Sequence, residues 1–136
     1  MPRFLLLVLF LIPAVASAEL QVSEAWIKHL PASVPVRAGY LTLYNPSSRP
    51  IVIESLRSDT FASIEIHATV EQDGLMQMQH LPQLTVEPNS SVQLAPGGLH
   101  LMMMGPVAAS VPGDLITITM EFVDGAEQSL VMIVKE

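Results

Sequence analysis

Two histidines and two methionines are the residues of this sequence whose types and spacing best suit a chemical role. They are His67, Met78, His100 and Met102. Imidazole nitrogen and thioether sulfur are uncharged, soft-to-borderline donors that suit copper(I) and reject oxygen-loving cations. His100 and Met102 are separated by one residue, so on an extended strand both side chains lie on one face, about 6.6 Å apart along the chain. The pattern predicts a soft-metal site assembled by a β fold.

Other histidines and methionines lie in phase with these four. Strand parity places Met76, Met78 and His80 on one face of segment 75–81, and His100, Met102 and Met104 on one face of segment 99–104. A single methionine on a strand is usually core filler, and a lone histidine is usually a hydrogen-bonded surface residue. Two histidines in phase with the methionines favour a metal site.

The sequence leaves more than one role open for several neighbouring residues. His80 can be a second-mode copper ligand, a donor to a transfer partner or a solvated strand-end residue, and Met76 and Met104 can line the rim of the site. Glu65 is either a hydrogen-bond acceptor that fixes the tautomer of His67 or an ordinary surface carboxylate. Met103 is expected to face the core, and Trp26 and Tyr40 are expected to be core anchors.

The first eighteen residues are typical of a secretory signal peptide. A basic start at Arg3 precedes an apolar run over residues 4–12, and Ala16-Ser17-Ala18 is a small-residue cleavage triplet. The run is too short for a spanning helix, although an uncleaved anchor is the alternative. We expect residues 1–18 to be removed and residues 19–136 to form a single exported, soluble domain in the periplasm.

Charge and cysteine content narrow the possible functions of this domain. Thirteen acidic residues against five basic ones give residues 19–136 a net charge of −8, which disfavours nucleic acid and anionic lipid as partners. The chain has no cysteine, so it cannot provide the thiolate that a blue-copper electron carrier requires. No motif typical of a catalytic site occurs, and the protein is expected not to be an enzyme.

Short β-rich runs separated by Pro, Gly and Asn turns predict an antiparallel β-sandwich or barrel. Ten strands are expected, approximately over 20–27, 37–44, 50–55, 63–70, 75–81, 84–86, 91–94, 99–104, 115–123 and 129–134. Asp73-Gly74 and Asp124-Gly125 are expected to close two hairpins.

The segments EIHATVEQDGLMQMQ and PGGLHLMMMG resemble the PCu(A)C group of periplasmic copper(I) chaperones. The motif of that group is a histidine, ten residues, a methionine, twenty-one residues and then His-x-Met, and His67, Met78, His100 and Met102 match every position. The resemblance continues in AWIKHLPASVPVRAGYLTLYNPS and in the DGAEQ turn.

The resemblance implies a cupredoxin-like, Greek-key β-sandwich that holds one copper(I) through two imidazoles and two thioethers. It also implies delivery of copper to the apo dinuclear copper domain of respiratory cytochrome c oxidase, beside Sco-type thiol proteins. A monomer is expected. The alternatives are a copper buffer or scavenger without a dedicated recipient and a structural or adhesion-type sandwich whose methionines are surface filler.

Overall fold

The computed structural model describes residues 19–136, and this part of the chain consists of β-strands joined by turns, without a helix. The predicted signal peptide, residues 1–18, lies outside the described residues. The ten strands are β1 (Gln21–Lys28), β2 (Val36–Asn45), β3 (Ile51–Ser58), β4 (Phe61–Gln72), β5 (Leu75–Leu81), β6 (Leu84–Val86), β7 (Ser90–Leu94), β8 (Leu99–Pro106), β9 (Leu115–Phe122) and β10 (Glu127–Lys135). The predicted all-β class is confirmed.

Seven of the strands close into a ring around one core. Hydrogen bonding follows the order β4-β8-β2-β1-β10-β9-β3, and β3 pairs again with β4. β5 lies outside this ring, paired to the second half of β4, whereas β3 pairs with the first half. β4 is therefore shared between the closed body and a projecting β4–β5 hairpin.

One pairing differs from the antiparallel arrangement that the sequence predicts. β1 and β10, the first and last strands, run parallel, with Trp26 opposite Ile133 and Ile27 opposite Val134. The other pairings among the described strands are antiparallel. Strands from the two ends of the chain need no tight turn between them, so their relative direction is not limited to antiparallel.

The β4–β5 hairpin forms as its turn residues predict. Gln72 pairs with Leu75, which leaves Asp73 and Gly74 as a two-residue loop, and both have positive φ, 53° and 77°. Asp-Gly suits such a loop because a type I′ turn requires φ > 0 at both positions. This turn sets the register of the whole hairpin.

The core consists mainly of branched aliphatic side chains and methionines from alternate strand positions. Residues at most 1% exposed include Ile27, Leu43, Ile53, Leu101, Met103, Ile118, Met120, Met132 and Val134. The expected inward position of Met103 is confirmed. No helix among residues 19–136 is long and apolar enough to cross a membrane.

Trp26 and Tyr40 are not core anchors, so that prediction is wrong. They are cross-strand partners with ring centroids 4.8 Å apart, and both are only partly buried. Ile27 and Gly39, their neighbours in the chain, face the core instead. Strand alternation places the two rings on the outer face, where they cover each other.

Candidate metal centre

Three histidines form a row across β5, β4 and β8. His67 on β4 lies directly opposite His80 on one side and His100 on the other. Its ring centroid is 5.5 Å from that of His80 and 5.9 Å from that of His100. The structure therefore brings together His67 and His100, as the sequence predicts, and adds His80 to the same row.

The two predicted methionines flank this row on opposite sides. Met78 lies opposite Thr69, and Met102 lies opposite Glu65, so each is diagonal to His67 but on a different neighbouring strand. Side chains in diagonal positions are about 7–8 Å apart at the backbone, which long side chains can span. His67 is thus the residue that both methionines can approach.

Exposure increases from β8 to β5. His100 is only 6% exposed, the side chain of His67 is 13% exposed, and Met78 is 62% exposed. Met102 is partly buried beside Ala38 of β2, its cross-strand partner. The β8 end of the row is therefore a preformed, sheltered position, whereas Met78 is free to change rotamer and reach across β4.

In both His67 and His100, a hydrogen bond occupies one of the two ring nitrogens. His100 Nδ1 is 3.1 Å from the carbonyl oxygen of Gly98, to which it donates, and His67 Nε2 is 2.8 Å from Glu65 Oε2. The other nitrogens, His100 Nε2 and His67 Nδ1, are buried and have no hydrogen-bond partner among the described residues. An imidazole whose N–H is held by an oxygen acceptor presents its second nitrogen as a lone pair, which is the usual arrangement of a metal-binding histidine.

Glu65 provides one of these acceptors. The hydrogen bond from His67 lowers the pKa of the Glu65 carboxyl below its usual value, and the charges of His80 and His67 act in the same direction. The carboxylate is therefore ionised at neutral pH and accepts the His67 N–H. Of the two roles that the sequence left open for Glu65, the structure supports the hydrogen-bonding role.

The donor set does not suit a hard cation. Within residues 19–136, no three His, Asp or Glu side chains are grouped so that they can hold one ion. Strand register places two thioethers, those of Met78 and Met102, diagonal to His67, where they can add sulfur donors. Sulfur and imidazole donors together select copper(I) over magnesium or calcium.

The sequence did not indicate the contribution of Arg37. This side chain is 1% exposed, and its guanidinium donates to the carbonyl oxygens of Pro31, Val34 and Val36. These bonds fix the loop before β2, and Val36 at the start of β2 pairs with Met104 near the end of β8. By contrast, the pairing of His67 with His80 can be deduced from the sequence, because counting outward from the Asp73-Gly74 turn places the two residues opposite each other.

The comparisons with known proteins agree with this fold. Residues 20–134 match the LpqE-like family, described as "Putative lipoprotein LpqE-like". The "Putative lipoprotein Lxx21020" of Leifsonia xyli subsp. xyli is 30% identical over 125 residues, which cover 91% of this chain and 74% of that protein.

Two solved structures extend the comparison. The copper-bound PCuAC domain from PmoF2 superimposes with a TM-score of 0.73 at 18% identity, covering 88% of this chain and 96% of that domain. The solution structure of CuI-DR1885 from Deinococcus radiodurans has a TM-score of 0.67 at 28% identity, covering 82% of this chain and 74% of that one. With the family match spanning nearly all described residues, the chain belongs to the LpqE-like family, and its predicted resemblance to the PCu(A)C group is confirmed.

Proposed function

We propose that this protein is a copper(I) chaperone that holds one copper(I) ion through His67, Met78, His100 and Met102. The observation that carries the proposal is the cross-strand pair His67–His100, with ring centroids 5.9 Å apart and one buried, unpartnered nitrogen on each ring. Leaving two polar atoms buried without partners is costly unless a ligand uses them. A soft metal ion between the two rings satisfies both.

The thioethers complete the proposed site. Met102 approaches from the sheltered side beside His100, and Met78 approaches from the exposed hairpin. All four donors are neutral, so the charge of the ion is not compensated, and this favours copper(I) over copper(II). The copper content stated for the PmoF2 domain and for CuI-DR1885 is that of similar proteins and supports the same assignment here.

The finer parts of the proposal concern location and recipient. We propose that residues 1–18 are a cleaved signal peptide, that residues 19–136 act in the periplasm, and that copper is delivered to the dinuclear copper centre of cytochrome c oxidase, beside Sco-type proteins. The description of the matching family as lipoprotein-like agrees with export. A buffer without a dedicated recipient is the second candidate, because an exposed Met78 suits either role.

Metal titration tests the central claim. Purified protein comprising residues 19–136 should bind one copper(I) under reducing conditions and should not lose it to an equal concentration of zinc. Zinc prefers N, O or S(thiolate) ligands, and the two thioethers of the proposed site are poor ligands for it. Absence of copper(I) binding, or displacement by equimolar zinc, would contradict the proposed site.

A transfer assay separates the chaperone from the buffer. Copper(I)-loaded protein is mixed with the apo copper domain of the oxidase, and the recipient is then separated and its copper measured. If copper still reaches the oxidase domain when a competing copper(I) chelator is present, the ion does not pass through solution. That result supports delivery. Transfer that the chelator abolishes indicates a buffer.

A further inference from the structure

His67 has a histidine neighbour on each side in the row His80–His67–His100. An imidazole nitrogen lies about 2.0 Å from a bound metal, so the centroids of two rings on one ion are at most roughly 6.5 Å apart. The separations of 5.5 Å and 5.9 Å both satisfy this limit. His80 and His100, however, lie on opposite sides of His67, on strands separated by β4. An ion between His67 and His80 would therefore lie on the β5 side of His67, and an ion between His67 and His100 on the β8 side.

We propose that His67, Met78 and His80 form a second copper(I) position, the outer position, which exchanges with the four-ligand site and presents the ion to a recipient. His80 is exposed and lies directly opposite His67, and Met78 is two residues from His80 on the same face of β5. The proposal rests on the proposed copper(I) function and adds His80 to it as a ligand.

The movement between the two positions is a ligand exchange without a change of oxidation state. The ion keeps its bonds to His67 and Met78 throughout. It releases His100 Nε2 and Met102 Sδ and gains one ring nitrogen of His80, so four-coordinate copper(I) becomes three-coordinate. Because His67 is common to both positions, only one can be filled at a time, and the stoichiometry stays at one copper per chain.

The location of β5 explains why the outer position suits release. β5 is outside the closed ring, and along it residues 75–80 are all exposed. An ion held there has an open coordination site facing solvent, whereas an ion beside His100 is sheltered. A recipient ligand can therefore bind the ion before the protein ligands leave, which lowers the barrier to transfer.

The double variant His100→Gln/Met102→Leu isolates the outer position. It should still bind one copper(I), more weakly than wild type, and adding His80→Gln should weaken this residual binding by about tenfold or more, as expected for loss of one of three ligands. Competition with a chromophoric copper(I) chelator measures both affinities, and circular dichroism checks the fold. Equal affinity in the double and triple variants overturns the proposal.

Transfer kinetics test the same idea without altering a buried residue. In the otherwise wild-type protein, His80→Gln should change the equilibrium affinity for copper(I) by less than about threefold. It should slow copper(I) loss to excess chelator by about tenfold, because it removes the ligand that binds the ion as it leaves the four-ligand site. Gln79→Ala, an exposed change at the adjacent position on the other face of β5, is the matched control and should leave the rate unchanged.

The outcomes distinguish this proposal from the proposed function. Wild-type protein that binds no copper(I) refutes the function. Wild-type protein that binds copper(I), with a His80→Gln variant that releases it at the wild-type rate, refutes only the outer position.

Discussion

His67 is the residue on which the candidate site depends most. It lies at the centre of the row of three histidines, donates to Glu65, and is diagonal to both Met78 and Met102. No other ligand candidate lies between β5 and β8, the two strands that carry the remaining candidates. Changes at His67 should therefore affect copper binding more than changes at the ends of the row.

Replacing the methionines separates a metal site from surface filler. Met78→Leu and Met102→Leu should each weaken copper(I) binding, because leucine has no sulfur donor, while costing less than about 1.5 kcal/mol of unfolding free energy, since the volumes are similar. His67→Ala and His100→Ala should weaken binding more. Chelator competition and thermal unfolding measure the two effects, and unchanged affinity in both leucine variants would contradict their role as ligands.

Glu65 is predicted to act through the orientation of His67. Glu65→Ala removes the acceptor that holds the ring, and copper(I) affinity should fall by about 10- to 100-fold, as is typical when a partner of a ligating histidine is lost. Glu71→Ala, an exposed carboxylate change on the same strand, is the control. A similar effect of both variants would indicate a general electrostatic contribution rather than a hydrogen bond.

The copper(I) affinity should depend on pH through the two histidines. It should fall as the pH is lowered, because a bound imidazole must be neutral and protons then compete with the metal ion for it. Two bound histidines give a limiting loss of about a hundredfold per pH unit, one gives about tenfold, and thioethers add nothing. Competition titrations between pH 4 and 7 measure the slope, and no slope would exclude both histidines as ligands.

At the scale of elements, β4 connects the rigid body to the exposed hairpin. Its first half pairs with β3, residues 61–68 pair with β8, and residues 66–72 pair with β5 outside the ring. His67 lies in the part of the strand that pairs with both β8 and β5. β8 can thus supply a sheltered ligand, His100, and β5 an exposed ligand, Met78, to an ion bound by His67.

Gly105, at the end of β8, should be required for the pairing of β8 with β4. It has φ of 63°, and a Cβ at this position would be 2.8 Å from the Cβ of Ala62. Gly105→Ala should therefore cost about 2–3 kcal/mol, combining left-handed strain with overpacking. Gly74→Ala has similar φ but open space around it and should cost only about 1–2 kcal/mol. Chemical denaturation measures both, and equal losses would contradict the steric contribution.

At the scale of the molecule, the core and the candidate site lie on opposite faces of the same sheet. The residues that fill the core lie on the inner faces of the strands, whereas the histidine row lies on the outer face of β5, β4 and β8. The two ion pairs of Arg57 lie on other strands, β3, β9 and β10. Scaffold stability and copper affinity should therefore respond to different substitutions.

An exposed charge cluster on β3, β9 and β10 tests this separation. Arg57 forms ion pairs with Glu121 and Glu127, and its hydrogen bond lowers the pKa of the Glu127 carboxyl. A lowered carboxyl pKa in the folded state means that the pair stabilises the fold above the unfolded-state pKa, near pH 4.3, and that this contribution is lost as pH falls through the folded-state value.

Arg57→Gln should therefore lower the melting temperature slightly at pH 7 and have less effect at pH 3. Salt should reduce the pH 7 effect, because exposed pairs are screened. Arg49→Gln, at a residue without an ion pair among residues 19–136, is the control, and copper(I) affinity should be unchanged in both variants. An equal effect of Arg57→Gln at both pH values would show that the ion pairs do not contribute.

The sequence by itself was sufficient for features that depend on neighbouring residues. Alternation of apolar and polar positions predicted the ten strands, with the bounds of β5 and β6 correct to the residue. Asp73-Gly74 predicted the hairpin, and its two-residue loop determines that His67 faces His80. These features are local, because strand parity and turn geometry involve only residues close together in the chain.

Only the tertiary structure decided which strands meet and which face is buried. His67 and His100 are 33 residues apart, and their contact depends on the pairing of β4 with β8, which no turn between them specifies. The parallel pairing of β1 with β10 and the outward position of Trp26 and Tyr40 were likewise not predictable. Periodicity divides a strand into two faces, but closure of the whole ring determines which face encloses the core and which carries the histidines.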